Sequence, residues 1–220
     1  MNRYDLIIFD VDGTLLDTSE GLIAAVEYTI EKCGLHKLDI EVIKQFIGPP
    51  IRESFQKVYQ LDDTKAKEIT DIFRIRYKDY DLLKAKPYPD IYRVFETVNR
   101  LNMKSSIATY KRQDYALNII EHFGFNKYTD IIYGADEDNK LKKKDIIELC
   151  IRAAGVNNYG RVLMIGDSDN DYIGAKTLGI DFLGVTYGFG FKSKEEIFQI
   201  GGSYAASGSN EIIDFLQKGY

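Results

Sequence analysis

The segment Leu6-Ile7-Ile8-Phe9-Asp10-Val11-Asp12-Gly13-Thr14-Leu15 decides how the rest of the chain reads. Ile7, Ile8 and Phe9 form an unbroken apolar run, the pattern of a strand buried on both faces of a parallel sheet. The run ends at Asp10 and Asp12, two positions apart, which strand alternation would point to the same side. Gly13 then permits a sharp turn that a residue with a Cβ makes only under strain. An acidic surface turn accounts for a bare Asp-x-Asp-Gly. It accounts poorly for Asp-x-Asp-Gly-Thr-Leu placed directly after a buried strand.

Outward from this strand the pattern becomes helical. Leu22, Ile23, Val26 and Ile30 share one face, with Thr18 or Ser19 as the cap. Helices are also expected over Glu41–Phe46, Arg52–Tyr59 and Asp63–Leu82, the last with Ile69, Ile72, Phe73, Arg76, Tyr77 and Tyr80 at helical spacing. No strand signal interrupts Thr18 to Lys84, so an all-helical module is inserted after the first strand. Lys84-Ala85-Lys86-Pro87-Tyr88-Pro89 reads as a restrained linker that closes it, with Lys86 structural.

From Asp90 onward helices and strands alternate. Strands are expected at Lys104–Thr109, Asp130–Tyr133, Arg161–Ile165 and Asp181–Val185. Helices are expected at Ile91–Leu101, Asp114–Phe123, Lys144–Ala154 and Asn170–Leu178. This alternation implies an α/β fold with a parallel sheet covered on both sides, whose ligands bind beyond the carboxyl ends of the strands. Asp10 and Asp12, Thr109, and Asp167 all lie at such ends. Gly188-Phe189-Gly190, Gly201-Gly202-Ser203 and Ser207-Gly208-Ser209 read as plain loops, and a last helix spans Glu211–Gln217.

The chain has 220 residues, a formal charge of −5 and 29% charged residues, which suits a soluble globular protein and disfavours a nucleic-acid surface. Cys33 and Cys150 lie in separate helical patterns and read as free thiols. No signal peptide and no membrane-length apolar run is seen, so the expected location is the cytoplasm.

From Asp5 to about Gly190 the chain resembles phosphohydrolases of the haloacid dehalogenase superfamily, in the subgroup similar to phosphoglycolate phosphatases. Four motifs in order carry the resemblance. They are Asp10-Val11-Asp12-Gly13-Thr14-Leu15, Ser105-Ser106-Ile107-Ala108-Thr109-Tyr110-Lys111, a lysine opening the helix before Asp145, and Ile165-Gly166-Asp167-Ser168-Asp169-Asn170-Asp171. The resemblance implies a three-layer Rossmann-like core over residues 1–16 and 86–220, and a helical cap over 17–85. It implies a phosphatase for a small phosphorylated metabolite: phosphoglycolate, a sugar phosphate, a nucleotide or pyrophosphate. A phosphotransferase similar to β-phosphoglucomutase is the alternative, although Thr14 after Gly13 resembles the phosphatases. Oligomeric state is not legible.

Each candidate residue has its own chemical reason. Asp10 fits a nucleophile that forms an aspartyl-phosphate, dividing a hard hydrolysis into two easier steps. Asp12 fits the general acid and base, with a turn-stabilising role as its plain reading. Backbone N–H groups of Val11, Asp12 and Gly13 would form an anion nest. The Thr109 hydroxyl would donate to phosphate, although most threonines so placed satisfy their own backbone. Tyr110 departs from the Asn or Ser that many relatives carry there. Alignment with relatives points to Lys143 as the phosphate-binding lysine, with Lys142 and Lys144 as alternatives. Asp10, Asp167 and the Asp12 carbonyl would bind Mg²⁺, with Asp171 orienting ligands or waters and Asp169 capping the helix. Oxygen ligands without His or Cys favour magnesium over zinc. In the cap, the loop through Gly48 to Arg52 faces substrate in relatives; Arg52 reaching an anionic group and a simple chain turn are the two readings.

Overall fold

A computed structural model describes residues 2–137 and 140–218, which fall into two compact units, Met1–Leu16 with Pro87–Tyr220, and Asp17–Lys86. In chain order the first unit opens with β1 (Leu6–Phe9) and crosses to the second through β2 (Leu16–Asp17). The second unit holds α1 (Ser19–Lys32), α2 (Ile40–Ile43), α3 (Ile51–Tyr59) and α4 (Asp63–Arg76), and the chain returns through β3 (Lys86–Pro87). The first unit resumes with α5 (Ile91–Arg100), β4 (Lys104–Arg112), α6 (Gln113–His122), β5 (Ile132–Ala135) and α7 (Lys143–Ala154). It ends with β6 (Val162–Gly166), α8 (Asp169–Leu178), β7 (Asp181–Val185), α9 (Lys194–Gln199), β8 (Tyr204–Ala206) and α10 (Ser209–Lys218).

The first unit is a six-stranded parallel sheet in the order β5-β4-β1-β6-β7-β8. β1 lies at its centre, with Leu6, Ile7, Ile8 and Phe9 fully buried, so its continuous apolar run reflects cover on both faces. Leu6 and Ile8 pack with Ile146, Ile147 and Cys150 of α7 and Ala175 of α8. On the other face the Phe9 ring meets Phe95 of α5 at 4.5 Å between centroids. This is the expected three-layer Rossmann-like arrangement. Among the described residues no helix is long and apolar enough to cross a membrane.

The second unit, between its strand residues Asp17 and Lys86, is built of helices and loops. Its core joins Phe46, Phe55 and Phe73, with ring centroids 5.0 and 6.3 Å apart in successive pairs. The fully buried Asp81 binds Arg76 at 2.7 Å and Lys84 at 2.8 Å, and the Arg76 guanidinium also lies over the rings of Tyr28 and Tyr80. Lys86, read as structural, is mostly exposed beside Glu20 at 3.3 Å.

Several local expectations need correction. The Asp63–Leu82 helix is α until Arg76 and then widens into a π-helical turn over Tyr77–Asp81. Neither Thr18 nor Ser19 caps α1 with its side chain; Asp17 does so by accepting from the Ser19 N–H and hydroxyl. Between two Gly/Ser-rich segments lies β8, the edge strand, whose register follows β7 from Leu183↔Tyr204 to Val185↔Ala206. The second core strand does not end at Thr109 but runs on to Arg112. Cys33 and Cys150 are free thiols, as expected.

Candidate active site

Asp10 follows β1 directly, and its N–H donates to the Ile165 carbonyl of β6 at 3.0 Å, extending the ladder by one residue. Its carboxylate is therefore fixed at the carboxyl end of the central strand, 6% exposed. Lys143, the first residue of α7, is 3% exposed and places Nζ 2.6 Å from Asp10 Oδ1 and 2.7 Å from Asp171 Oδ1. The neighbouring lysines point elsewhere. Lys142 is exposed, with its N–H on the Asp145 carboxylate, and Lys144 is exposed beside Asp145 at 3.6 Å. The Tyr110 hydroxyl accepts from the Lys143 N–H at 2.9 Å and so helps fix where α7 begins.

Asp167 closes β6. Its Oδ2 accepts from the Phe189 N–H at 2.6 Å and the Gly190 N–H at 3.0 Å, while its carbonyl accepts from Phe191 N–H at 2.9 Å. The loop read as featureless thus holds this carboxylate. Gly13 has φ +82°, and a Cβ there, or at Gly188, would overlap the Asp167 side chain. Only glycine allows the β1 turn and the Gly188 loop to close on Asp167 together. Asp171, 1% exposed, accepts on Oδ2 from the Ser168 hydroxyl at 2.7 Å and N–H at 3.2 Å. Ser168, not Asp169, occupies the N-cap of α8; Asp169 is already its first helical residue.

On the other side of the turn, Asp12 Oδ1 lies 3.1 Å from Lys111 Nζ, and the Lys111 side chain is only 5% exposed. Thr109 is buried, and its hydroxyl oxygen accepts from the Lys111 N–H at 3.1 Å, leaving its own hydrogen to donate. The Gly13 N–H is bonded to the Leu16 carbonyl at 2.9 Å, which removes it from the expected anion nest.

Carboxylate oxygens of Asp10, Asp167 and Asp171 lie within 4.8 Å of one another. Burial pushes the Asp10 carboxyl well above the usual range, against the pull of Lys143 and with Asp171, Asp167 and Asp12 adding to the rise. Burial, then Asp171, pushes Asp167 up to about 7, with the Gly190 and Phe189 N–H groups opposing. For Lys143, burial works against its charge, but Asp10 and Asp171 outweigh it and hold the ammonium above the ordinary lysine range.

The model of the haloacid dehalogenase-like hydrolases matches residues 7–185. The chain belongs to that family. Over 196 residues it is 32% identical to a 5'-nucleotidase of Pseudomonas aeruginosa, covering 89% of this chain and 87% of the relative. It is 27% identical over 174 residues to a phosphoglycolate phosphatase of Aquifex aeolicus, covering 79% and 81%. A crystal structure from Clostridium acetobutylicum, described as a predicted phosphatase, superposes with TM-score 0.89 at 31% identity, covering 98% of this chain and 99% of that one. The chain is accordingly an enzyme of the phosphoglycolate phosphatase-like part of this hydrolase family.

In this haloacid dehalogenase-like enzyme, Asp10, Asp12, Thr109, Lys143, Asp167 and Asp171 all belong to the sheet-bearing unit. Lys143 and Asp171 both reach Asp10's end of the sheet, through α7 and α8. Gly48 and Arg52 belong to the helical unit. Gly48 sits at φ +101° in open space, and Arg52 Nη2 is engaged by Asp63 at 2.5 Å. Lys111, Ser168 and the Phe189-Gly190 N–H pair were not singled out from sequence. A signal existed for Ser168, whose Ser-x-x-Asp spacing to Asp171 is that of a capping box, whereas Lys111 lies within a bulge that strand alternation does not foresee.

The cluster fits a hard divalent cation on its donor chemistry. Its donors are carboxylate oxygens gathered within 4.8 Å of one another, the hard oxygen set that such an ion takes. With all four carboxyls ionised, Asp10, Asp12, Asp167 and Asp171 exceed the two ammonium groups, Lys111 and Lys143, by two negative charges, which a divalent cation would balance. Asp171 belongs to the oxygen cluster together with Asp167, while the Asp12 carboxylate is turned to Lys111.

Proposed function

We propose that the protein is a Mg²⁺-dependent phosphatase that hydrolyses a small phosphate monoester through an aspartyl-phosphate on Asp10. The observation that carries this reading is the Asp10 carboxylate itself: buried at the end of the central strand, held by Lys143, and within reach of Asp167 and Asp171. A carboxylate that merely supported the fold there would cost stability through its own burial. The names of the two curated relatives described above, a 5'-nucleotidase and a phosphoglycolate phosphatase, support phosphate-ester hydrolysis. The candidate substrates are a phosphoglycolate-type ester, a sugar phosphate, a nucleotide or pyrophosphate.

In this mechanism Asp10 attacks phosphorus and displaces the ester oxygen, forming the acyl phosphate. Lys143 keeps the Asp10 carboxylate oriented and offsets charge on the phosphoryl oxygens, to which the Thr109 hydroxyl donates. Asp12 gives a proton to the leaving oxygen, then takes one from the water that attacks the acyl phosphate and regenerates Asp10. A magnesium ion held by Asp10 and Asp167, with Asp171 beside it, would supply the remaining positive charge for an anion attacking an anion. The names of those relatives favour water as the final acceptor over the sugar hydroxyl of a β-phosphoglucomutase-type transferase. The test is phosphate release from a panel of small esters, with and without Mg²⁺, by wild type and Asp10→Asn. Metal-dependent release lost in the variant is expected. Release that survives Asp10→Asn would reject the covalent mechanism.

A further inference from the structure

We infer that Lys111 is a positioning residue of this site, holding the Asp12 carboxylate where it exchanges protons; the inference rests on the proposed phosphatase mechanism. The local backbone is built around Lys111. From Ala108 to Arg112 β4 advances four residues, while its neighbour β5 advances two, from Tyr133 to Ala135. Such bulges re-aim side chains and concentrate beside active sites.

Other residues hold this bulge in place. A Cβ at Gly134 would collide with the Lys111 carbonyl, so the glycine makes room for the bulge. Gln113 pins the adjoining strand, accepting from Gly134 N–H at 2.6 Å and donating to the Ile132 carbonyl at 3.0 Å. The Thr109 hydroxyl oxygen takes the Lys111 N–H at 3.1 Å. The result is a lysine side chain 5% exposed, with Nζ 3.1 Å from Asp12 Oδ1, itself 17% exposed. Burying an ammonium is costly unless it is paired. The pair also restrains Asp12, which sits on the short turn after β1. Lys111 thus acts through Asp12, whereas Lys143 serves Asp10.

The experiment compares wild type, Asp10→Asn, Lys111→Met, Asp12→Asn and the double variant Asp12→Asn/Lys111→Met as full chains with Mg²⁺. The probes are p-nitrophenyl phosphate, whose leaving group needs little protonation, and an alkyl phosphate, whose leaving group needs a proton. Lys111→Met is expected to lower kcat about 10- to 100-fold on the alkyl ester, a share of what general acid–base catalysis supplies, with less loss on the p-nitrophenyl ester. KM should stay within about threefold, because uniform substrate binding is not removed. In the Asp12→Asn background, Lys111→Met should change kcat by no more than about twofold, since the two groups act as one unit. This last comparison does not use the Lys111→Met single variant, so it stands even if that variant folds poorly.

A full multiplicative loss in the double variant would overturn the inference, as would a raised KM with unchanged kcat. An equal loss on both esters accompanied by a lower Tm would assign Lys111 to the fold alone. Wild type releasing phosphate from neither ester would overturn the phosphatase reading and this inference with it. Normal wild type, dead Asp10→Asn and unimpaired Lys111→Met would overturn this inference alone.

Discussion

Asp167→Asn is expected to make the metal-free protein more stable at alkaline pH while abolishing catalysis. Burial and Asp171 raise the Asp167 carboxyl from 3.8 to about 7. Between those values the folded chain holds a proton that the unfolded chain has released. Stability therefore falls as pH rises through this window, by about 1.4 kcal/mol per pH unit, and levels off above the folded value. From pH 5 to 8 the Asp167 contribution amounts to about 3 kcal/mol. Asparagine removes that slope and keeps a side-chain oxygen for the Phe189 and Gly190 N–H groups, so the loop that holds the residue survives. Urea unfolding in chelator at pH 5 and 8 reads the difference directly: wild type should lose about 3 kcal/mol more than the variant. Added Mg²⁺ favours the ionised carboxylates and should flatten the wild-type dependence. Parallel wild-type and variant curves in chelator would refute the reasoning.

Gly13→Ala places a Cβ at φ +82° against the Asp167 carboxylate, and should cost about 2 kcal/mol or more in a denaturation midpoint and weaken Mg²⁺ binding by calorimetry. Tyr110→Phe deprives the Lys143 N–H of its acceptor, and should lower stability by about 1 kcal/mol while reducing kcat more than it alters KM. Asp81→Ala strips the buried partner from Arg76 and Lys84 in the helical unit, and should cost about 2–3 kcal/mol, less than a fully buried pair because both cations reach solvent. Urea titration followed by circular dichroism checks that last value.

The fold was legible because its strands are buried on both faces and so write continuous apolar runs: Ile7-Ile8-Phe9 and Val162-Leu163-Met164-Ile165 could be little else. β8 was not legible. Tyr204-Ala205-Ala206 is short, sits at the sheet edge, and is bracketed by Gly201-Gly202-Ser203 and Ser207-Gly208-Ser209, so its local signal is that of a loop. The π-helical turn at Tyr77–Asp81 keeps a helical apolar spacing and was read as ordinary helix; what sets it apart is the burial of Asp81 between Arg76 and Lys84. The acids of the site announced themselves at strand ends. Their supports did not, because backbone donors such as Phe189 N–H and Gly190 N–H carry no side-chain signature. Lys111 was hidden by the assumption that β4 stops at Thr109, whereas a bulge carries the strand three residues further.

The most direct test of the central claim is to trap the phosphoenzyme. Wild type and Asp12→Asn would be mixed with Mg²⁺ and p-nitrophenyl phosphate, quenched in acid within the first turnover, and digested for mass spectrometry. The account predicts a phosphoryl group on the peptide carrying Asp10, accumulating further in Asp12→Asn because its breakdown lacks the base. Phosphate release at the wild-type rate, with that peptide unmodified in both proteins and activity retained in Asp10→Asn, would contradict it.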